Sequence, residues 1–397
     1  METLKQIRVA IVGMPDAGKS TLIKTTLEQA IGKHLSPDTL MQEVHWSDGR
    51  DPYGNTDTRT IKCAKILFKY KDVEFCLYDC PGHLEYQEQI SQGILGAHCI
   101  VKIIDHKREQ ESIDYFKQVD LLHKDTYTLY SHSERNDYPY YDAEKKGFKD
   151  IAIRLLEDIS NRFYPNAVDV EQEALSIIKE TIKKENNNIM FFSGGKDSVV
   201  GLDLLKRANV LDHVKVFYPK SGYDFNEVED VIKYYEEYYK IQIIPFDNSL
   251  HRTYKTSTPF EMMSAKAEAN NLLIDSLHAD IVCVQYRASD EGVRSKDYHI
   301  SDKGTHKRFS PVFYFSETNI WRYISKHNIH VCNLYFKGYR SLGDEPVTLP
   351  CMPEMTSVED IVKYIDSHPE TTERDGRTKQ DKSEKFAMEK LRDNGFF

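Results

Sequence analysis

Apolar and polar positions in the first part of the chain change from a strand-like to a helix-like period. Residues 7–13 (IRVAIVG) form an apolar, largely β-branched run that ends at a glycine, and residues 19–31 (KSTLIKTTLEQAI) carry apolar side chains at helical spacing. This pattern predicts a strand, a loop and a helix. Residues 60–70 and 73–79 alternate apolar with polar positions and predict a β-hairpin. The run CIVKIID at 99–105 predicts a further buried strand.

Strand-like and helical stretches also alternate in the second part of the chain. A long amphipathic stretch is interrupted by YPNA, and we place a domain boundary near Pro165. NIMFF at 188–192 predicts a short buried strand. Similar runs, separated by helical stretches, lie at 214–218, 242–246 and 281–286. Alternation of this kind is typical of a parallel α/β sheet, so we predict an α/β fold with domains at 1–165 and 166–397.

Composition restricts the function of this chain of 397 residues. Its formal net charge is −10, which argues against nucleic acid as a partner because binding to phosphate backbones needs clustered Lys and Arg. No apolar run approaches the roughly 20 residues of a membrane span. The seven cysteines are scattered and never spaced as C-x-x-C, which argues against disulfides and zinc. We therefore expect a cytoplasmic protein without a membrane partner. Small anions stay possible as ligands through local basic residues.

The sequence GMPDAGKST at 13–21 matches the phosphate-binding pattern G-x-x-x-x-G-K-[ST] between a predicted strand and a predicted helix. Backbone N–H groups of such a loop surround a nucleotide phosphate, while the lysine reaches the β and γ oxygens. DCPGH at 79–83 follows the next strand, as a second motif on the metal side should. The predicted nucleotide-binding residues are Gly13, Asp16, Ala17, Gly18, Lys19, Ser20, Thr21 and Gly82.

These two motifs resemble the translation-factor class of GTPases, and among them the GTPase subunit of bacterial sulfate adenylyltransferase. The resemblance covers residues 7–156 and implies GTP as substrate with Mg²⁺ as cofactor. It implies that Ser20, Thr60 and Asp79 hold Mg²⁺ and that His83 orients the attacking water. The guanine-reading motif N-K-x-D is missing, and YSHSE at 130–134 stands in its place. The base specificity therefore stays open.

The sequence SGGKDS at 193–198 is a second phosphate loop with different spacing, again between a predicted strand and a predicted helix. It resembles the pyrophosphate loop (PP-loop) of the ATP pyrophosphatase-type enzymes. Its small residues let the backbone approach a pyrophosphate, and Lys196 neutralises charge on the leaving group. The predicted ATP-binding residues are Ser193, Gly194, Gly195, Lys196, Asp197 and Ser198.

Further stretches of the second part resemble the small subunit of sulfate adenylyltransferase. They are YRASDEGVRSK at 286–296, FSPVFYFSETNIWRYI at 309–324, YRSLGDEPVT at 339–348 and the tail from TTERDGR at 371–377 to the end. Sulfate is a hydrated dianion, and its desolvation needs charge-assisted donors. Arg287, Arg294 and Arg340 are the candidates. The chain departs from this family at Lys220 and Asp344, which replace an aspartate and a cysteine.

Both parts thus resemble subunits of one enzyme that elsewhere are separate chains. The resemblance implies a nucleotidyltransferase that forms adenylyl sulfate and pyrophosphate from ATP and sulfate, driven by GTP hydrolysis. His83, Lys196, Arg287, Arg294 and Arg340 are the predicted catalytic residues. The alternatives are a phosphoadenylylsulfate reductase-related enzyme, a PP-loop enzyme that adenylates another acceptor, and a first domain that binds nucleotide without hydrolysis. Homo-oligomerisation stays open.

Overall fold

A computed structural model describes residues 5–31, 63–131, 148–290, 298–368 and 371–377, and the structural statements below concern these residues. The chain divides into two units. The first unit comprises Glu2–Val170 with Ala288–Asp297, and the second comprises Glu171–Arg287 with Tyr298–Phe397. Among the described helices, none combines the length and the hydropathy that crossing a bilayer requires.

The first unit is a sheet flanked by helices. Its strands are β1 (Lys5–Val12), β2 (Ala64–Tyr70), β3 (Val73–Asp79), β4 (Cys99–Asp105), β5 (Asp125–Ser131) and β6 (Val168–Asp169). Its helices are α1 (Lys19–Ile31), α2 (Gln87–Gly96), α3 (Glu109–Gln118) and α4 (Lys149–Phe163). The predicted strand, loop and helix at the start of the chain and the predicted hairpin β2–β3 are confirmed.

The strands of the first sheet are ordered β2-β3-β1-β4-β5. β3, β1, β4 and β5 are parallel, while β2 is antiparallel to β3. The segments that follow β1, β3 and β4 therefore emerge at one edge of the sheet. β6 pairs antiparallel with the beginning of β1, at Lys5 and Gln6, where β4 does not reach. Fully buried side chains such as Ile7, Phe75 and Ile100 form the core.

The second unit is built on a second sheet with the order β11-β12-β10-β7-β8-β9. Its strands are β7 (Asn188–Phe191), β8 (Val214–Lys220), β9 (Ile243–Asp247), β10 (Ile281–Cys283), β11 (Ile300–Asp302) and β12 (Lys307–Phe309). Its helices are α5 (Val170–Thr181), α6 (Lys196–Arg207), α7 (Asn226–Tyr239), α8 (Pro259–Leu277), α9 (Glu317–His327) and α10 (Val358–Ser367). β12, β10, β7, β8 and β9 are parallel, as the alternating pattern predicts.

The hairpin of β11 and β12 extends this sheet with one antiparallel edge strand. Local side-chain contacts fix the beginnings of the long helices. The Thr258 hydroxyl accepts from the backbone of Glu261 while the Glu261 carboxylate accepts from that of Thr258, a capping box at the start of α8. The Ser316 hydroxyl caps α9, which packs the fully buried Trp321 into the unit.

Candidate active sites

The first loop, residues 13–18, turns tightly between β1 and α1. Lys19 is buried, and its Nζ donates to the carbonyl oxygens of Gly13 and Met14, 3.0 Å from each. Burial lowers the pKa of Lys19, and the nearby Asp79 carboxylate partly offsets this effect. Asp16 is exposed and Gly18 half-buried, both at positive φ, and Ala17 is buried between them. The backbone of the loop thus surrounds the buried ammonium group of Lys19.

DCPGH lies directly against this loop. A Cβ built on Gly82 would come within 2.8 Å of Lys19 Nζ and 2.7 Å of the Pro15 nitrogen, so only glycine fits there. Asp79 is buried at the end of β3. His83 is half-buried, and its ring meets Tyr86 edge to face at 6.4 Å. The structure therefore brings the two motifs of the first unit together, and His83 is the last residue of the second motif.

Oxygen donors for a divalent cation are present in this region. Ser20, half-buried, lies at the start of α1, one residue after Lys19, and Asp79 ends β3. A hydroxyl and a carboxylate suit Mg²⁺, which prefers oxygen ligands and keeps several waters. Thr21 is exposed, and its carbonyl accepts from Thr25 Oγ1 within α1. Thr60, the third predicted ligand, lies outside the described residues.

Of residues 130–134, which stand in the place of the missing guanine motif, the structure describes Tyr130 and Ser131. Ser131 ends β5 and is fully buried, and its Cβ would lie 3.7 Å from a Cβ built on Gly18. The Phe148 ring also approaches Gly18, at 3.3 Å from the same built atom. His132 and Glu134 lie outside the described residues. Ser131 and Phe148 therefore flank the first loop on the side of β5 and α4.

The second loop, residues 193–198, joins β7 to α6. Gly194 has φ +71°, and a Cβ there would lie 2.9 Å from Val228 Cγ1. The Ser198 hydroxyl donates to the Gly195 carbonyl at 2.8 Å, and the Ser193 hydroxyl lies 3.3 Å from that of Ser198. The first backbone N–H of α6, that of Lys196, donates to the Tyr335 hydroxyl at 2.8 Å. The loop is thus held by its own serines and by Tyr335.

A buried cluster of charges lies at the start of α6. The Glu373 carboxylate bonds both Lys196 Nζ and the Arg287 guanidinium. Arg287 Nε also lies 2.9 Å from Asp197 Oδ1. Lys196 and Arg287 side chains are 1% and 2% exposed. Burial alone would lower the pKa of Lys196, but the carboxylates of Asp197 and Glu373 outweigh it and raise that pKa.

Arg340, the next predicted sulfate ligand, is also engaged by a carboxylate. Its Nε and Nη2 donate to Glu317, at 2.9 Å for Nη2, and its Nη1 donates to the Thr371 hydroxyl at 2.7 Å. Burial alone would lower the pKa of Arg340, and Glu317 raises it. The structure therefore gathers Lys196, Arg287 and Arg340 around one region but pairs each with an anion. Arg294 lies outside the described residues.

Two residues of the tail segment, residues 371–377, also lie at this site, although they are not among the site residues predicted from the sequence. One is Glu373, described above. The other is Arg377, whose Nε donates to Ser341 Oγ and whose Nη1 donates to Thr348 Oγ1, each at 3.0 Å. The motif match of TTERDGR was the available signal. It did not reveal that Glu373 contacts a lysine 177 positions earlier in the chain.

Asp344, one of the two departures from the family pattern, is buried in a separate polar network. Its carboxylate accepts from Ser221 Oγ at 2.8 Å, Tyr254 OH at 2.7 Å and Lys266 Nζ at 2.5 Å. Burial alone would raise the pKa of Asp344, but Lys266 and the two hydroxyls hold it below its ordinary value. Lys220, the other departure, is exposed and paired with Glu229. The two positions therefore have unlike environments.

Two α/β units, each with a phosphate-type loop after a central parallel strand, define a nucleotide-binding protein with two unlike sites. Residues 4–138 match the family model described as Elongation factor Tu GTP binding domain. Residues 187–350 match the model described as Phosphoadenosine phosphosulfate reductase domain. The predicted resemblance of each part and the predicted fold class are confirmed.

Curated relatives of this chain include nucleotidyltransferases. Sulfate adenylyltransferase subunit 2 of Agrobacterium fabrum is 23% identical over 299 residues, which cover 59% of this chain and 93% of that protein. Probable FAD synthase of Schizosaccharomyces pombe is 27% identical over 175 residues, which cover 41% of this chain and 60% of that protein.

Similar solved structures include Candida glabrata FMN adenylyltransferase in complex with ATP. It is 20% identical, with a TM-score of 0.39, and the match covers 53% of this chain and 88% of that one. Phosphoadenylyl-sulfate reductase from Candida auris, in a phosphate complex, is 16% identical with a TM-score of 0.37, and covers 45% of this chain and 90% of that one.

Proposed function

We propose that the second unit transfers the adenylyl group of ATP to inorganic sulfate and that the first unit binds and hydrolyses GTP to support this reaction. The observation that carries the proposal is the pair of buried cations, Lys196 and Arg287, at the second loop. Both lie where a pyrophosphate cradled by Ser193–Ser198 would need neutralisation as it leaves. Mg²⁺, held with the phosphates, would supply further charge.

The chemical step balances without a general base. An oxygen of the sulfate dianion forms a bond to the α-phosphorus of ATP, and the bond from that phosphorus to the bridging α–β oxygen breaks. Pyrophosphate leaves with the electron pair. Because sulfate carries no proton to remove, the protein contributes positioning and charge stabilisation.

Arg377 is the best candidate for holding sulfate. Within the described part of the chain its guanidinium donates hydrogen bonds to two neutral groups, the hydroxyls of Ser341 and Thr348, and the carboxylates of Glu373 and Asp344 act on it only through space. Burial lowers the pKa of Arg377, so this cation would gain from an anionic partner. Arg287 and Arg340 already bond carboxylates, and they would contribute to sulfate binding only after exchanging those partners.

The test is pyrophosphate release from ATP by the full chain, measured with and without sulfate and with and without GTP. We expect release to require sulfate and Lys196→Ala to lower it by at least about a hundredfold, as for loss of an electrostatic stabiliser. Lys206→Ala, on the exposed side of the same helix, is the matched control. We expect Lys19→Ala to abolish only the stimulation by GTP. Release that ignores sulfate, or survives Lys196→Ala, would refute the proposal.

A second acceptor deserves the same assay because a relative is named Probable FAD synthase. FMN carries a phosphate monoester, which presents an oxyanion to the α-phosphorus as sulfate does. Release of pyrophosphate with FMN and not with sulfate would replace sulfate as the acceptor. The roles proposed for the second loop and for Lys196 would be unchanged.

A further inference from the structure

The turn after β4 carries an arginine that the motifs of the first unit do not include. Residues His106–Arg108 form a short 3-10 turn between β4 and α3. Asp105 is buried at the end of β4, and its carboxylate accepts from Arg108 Nε at 2.7 Å and from the Lys107 backbone N–H at 3.1 Å. The buried carboxylate thus fixes the position of the Arg108 guanidinium.

This guanidinium reaches the first loop. Arg108 Nη2 donates to the Pro15 carbonyl oxygen at 2.9 Å. The nitrogen of the same Pro15 lies 2.7 Å from the Cβ position built on Gly82, and Lys19 Nζ lies 2.8 Å from that position. The ends of three neighbouring parallel strands therefore bring Lys19, Gly82 and Arg108 around one residue of the loop.

Arg108 retains donors for a ligand. Its side chain is 36% exposed, whereas that of its anchor Asp105 is 3% exposed. Only Nε and Nη2 of the guanidinium have acceptors among the described residues, so its remaining N–H groups are open. An arginine that is anchored at one edge and open at the other can bind an anionic oxygen beside the loop.

We propose that Arg108 contacts the γ-phosphate of a nucleoside triphosphate in the first unit and stabilises the charge that develops during its hydrolysis. The inference rests on the proposed GTP hydrolysis by this unit. A water oxygen bonds to the γ-phosphorus as the bond to the β–γ bridging oxygen breaks. GDP leaves with the electron pair, and the proton of the water passes to the released phosphate. Arg108 thereby supplies, within the same chain, a second cation beside Lys19, as an arginine does in some phosphoryl-transfer sites.

The alternative is that Arg108 only stiffens the first loop through its bonds to Asp105 and Pro15. The two roles differ in one measurable respect. A residue that stiffens the loop affects every nucleotide that the loop binds, whereas a residue on the γ-phosphate distinguishes a triphosphate from a diphosphate. Comparing GDP with a non-hydrolysable GTP analogue separates them even if a variant is less stable.

The experiment uses the full chain and the variants Arg108→Gln, Arg108→Lys and Lys117→Gln. Lys117 is an exposed cation of α3, so its variant is the matched control for charge loss on that helix. For Arg108→Gln we expect about tenfold weaker binding of the GTP analogue with GDP binding nearly unchanged, as for loss of one charge-assisted bond. Single-turnover GTP hydrolysis should fall by at least about a hundredfold, and Arg108→Lys should recover part of it.

Two results would overturn the role of Arg108. In the first, Arg108→Gln matches Lys117→Gln in both assays. In the second, GDP and the GTP analogue lose affinity equally, which is the signature of loop stiffening. Failure of sulfate-dependent pyrophosphate release would refute the reaction proposed for the second unit and would leave this comparison readable. If the wild-type chain binds no GTP analogue while Lys19 is intact, both the proposed GTP hydrolysis and the role of Arg108 are wrong.

Discussion

One carboxylate, that of Glu373, holds together the buried cluster of charges at the start of α6. Glu373 bonds two cations, Lys196 and Arg287, whose side chains are almost completely buried. Removing one partner from a buried pair leaves the other charge uncompensated, which costs more than the pair itself contributes. Glu373 is therefore a stabilising residue of the site before any ligand binds.

We predict that Glu373→Gln lowers the free energy of unfolding of the second unit by about 3 kcal/mol, the lower end for breaking a buried ion pair, because the Glu373 side chain is itself partly exposed. The measurement is urea unfolding followed by the fluorescence of Trp321 in a Trp46→Phe background. Glu354→Gln, which alters an exposed carboxylate of the same unit, is the matched control. Equal stability of both variants would show that the cluster is held by other groups.

The stability difference between the wild-type protein and Glu373→Gln should also depend on pH. Burial alone would raise the pKa of Glu373, but Arg287 and Lys196 hold it well below its ordinary value of 4.5. A lowered pKa in the folded state contributes stability in full above the unfolded pKa and loses it as the pH falls toward the folded pKa. The stability difference between wild type and Glu373→Gln should therefore be constant near pH 7 and shrink below about pH 4.5. A difference that grows on acidification would contradict this assignment.

Site residues could be predicted from the sequence where a short motif contains them. Lys19 and Lys196 each occur in a loop whose spacing specifies a phosphate site, and the structure places both at the expected strand-to-helix junctions. Glu373 and Arg377 could not be assigned roles in the same way. Their contacts join segments far apart in the sequence, and local spacing contains no record of such contacts.

At the scale of elements, the tail segment packs on the loop that contains Gly343. Thr348 and Arg377 form an isolated antiparallel bridge, and Leu349 N–H donates to the Gly376 carbonyl at 2.7 Å. The Arg377 guanidinium lies across Gly343, since a Cβ built there would overlap Arg377 Nη1 at 1.5 Å. Because Gly343 has no side chain, there is space for the Arg377 guanidinium at this position.

We predict that Gly343→Ala displaces the Arg377 guanidinium and raises the KM for sulfate about tenfold, the effect of losing one charge-assisted bond, with little change in the KM for ATP. Gly343 has no left-handed backbone, and the overlapping atom is the end of a flexible side chain, so the unit should still fold. Arg377→Ala should reproduce the effect. Steady-state pyrophosphate release measures both constants. An equal rise in both would indicate a general distortion of the second loop.

Strands with clear alternation or long apolar runs were predictable as elements. The hairpin β2–β3 and the strands β4, β7, β8 and β9 occur where the pattern places them. β11 and β12 were missed because three-residue strands are too short to show a period, and their pairing depends on the edge that β10 provides. The run at 281–286 was predicted too long, since β10 ends at Cys283.

At the scale of the whole molecule, the chain carries two unlike nucleotide sites on two separate sheets. The formal net charge of −10 disfavours both nucleotides, so each loop must attract its phosphates through its own backbone N–H groups and lysine. If each nucleotide stabilises only the unit assigned to it, the assignment of GTP to the first loop and ATP to the second is supported. This test requires a measurement that reports on each unit separately.

We predict that Mg²⁺ with GTP slows hydrogen exchange in peptides from β1 and α1, and that Mg²⁺ with ATP slows it in peptides from β7 and α6. At a ligand concentration of 100 Kd the protection corresponds to about 2.7 kcal/mol. Lys19→Ala should remove the first effect alone and Lys196→Ala the second. Chelation of Mg²⁺ should weaken the first effect, since Ser20 and Asp79 would lose their bridge to the phosphates. Protection of both units by one nucleotide in both variants would contradict the assignment.

The short strand β6 has a consequence for the engineering of this chain. Because Asp169 pairs with Lys5, the polypeptide leaves the first sheet beside the place where it entered. A module whose entry and exit points adjoin can be inserted into a surface loop of another protein without disturbing either interior. A transplant of the continuous part of the first unit, which contains the first loop, should accordingly be cut after Asp169, so that the pairing of β6 with β1 is retained.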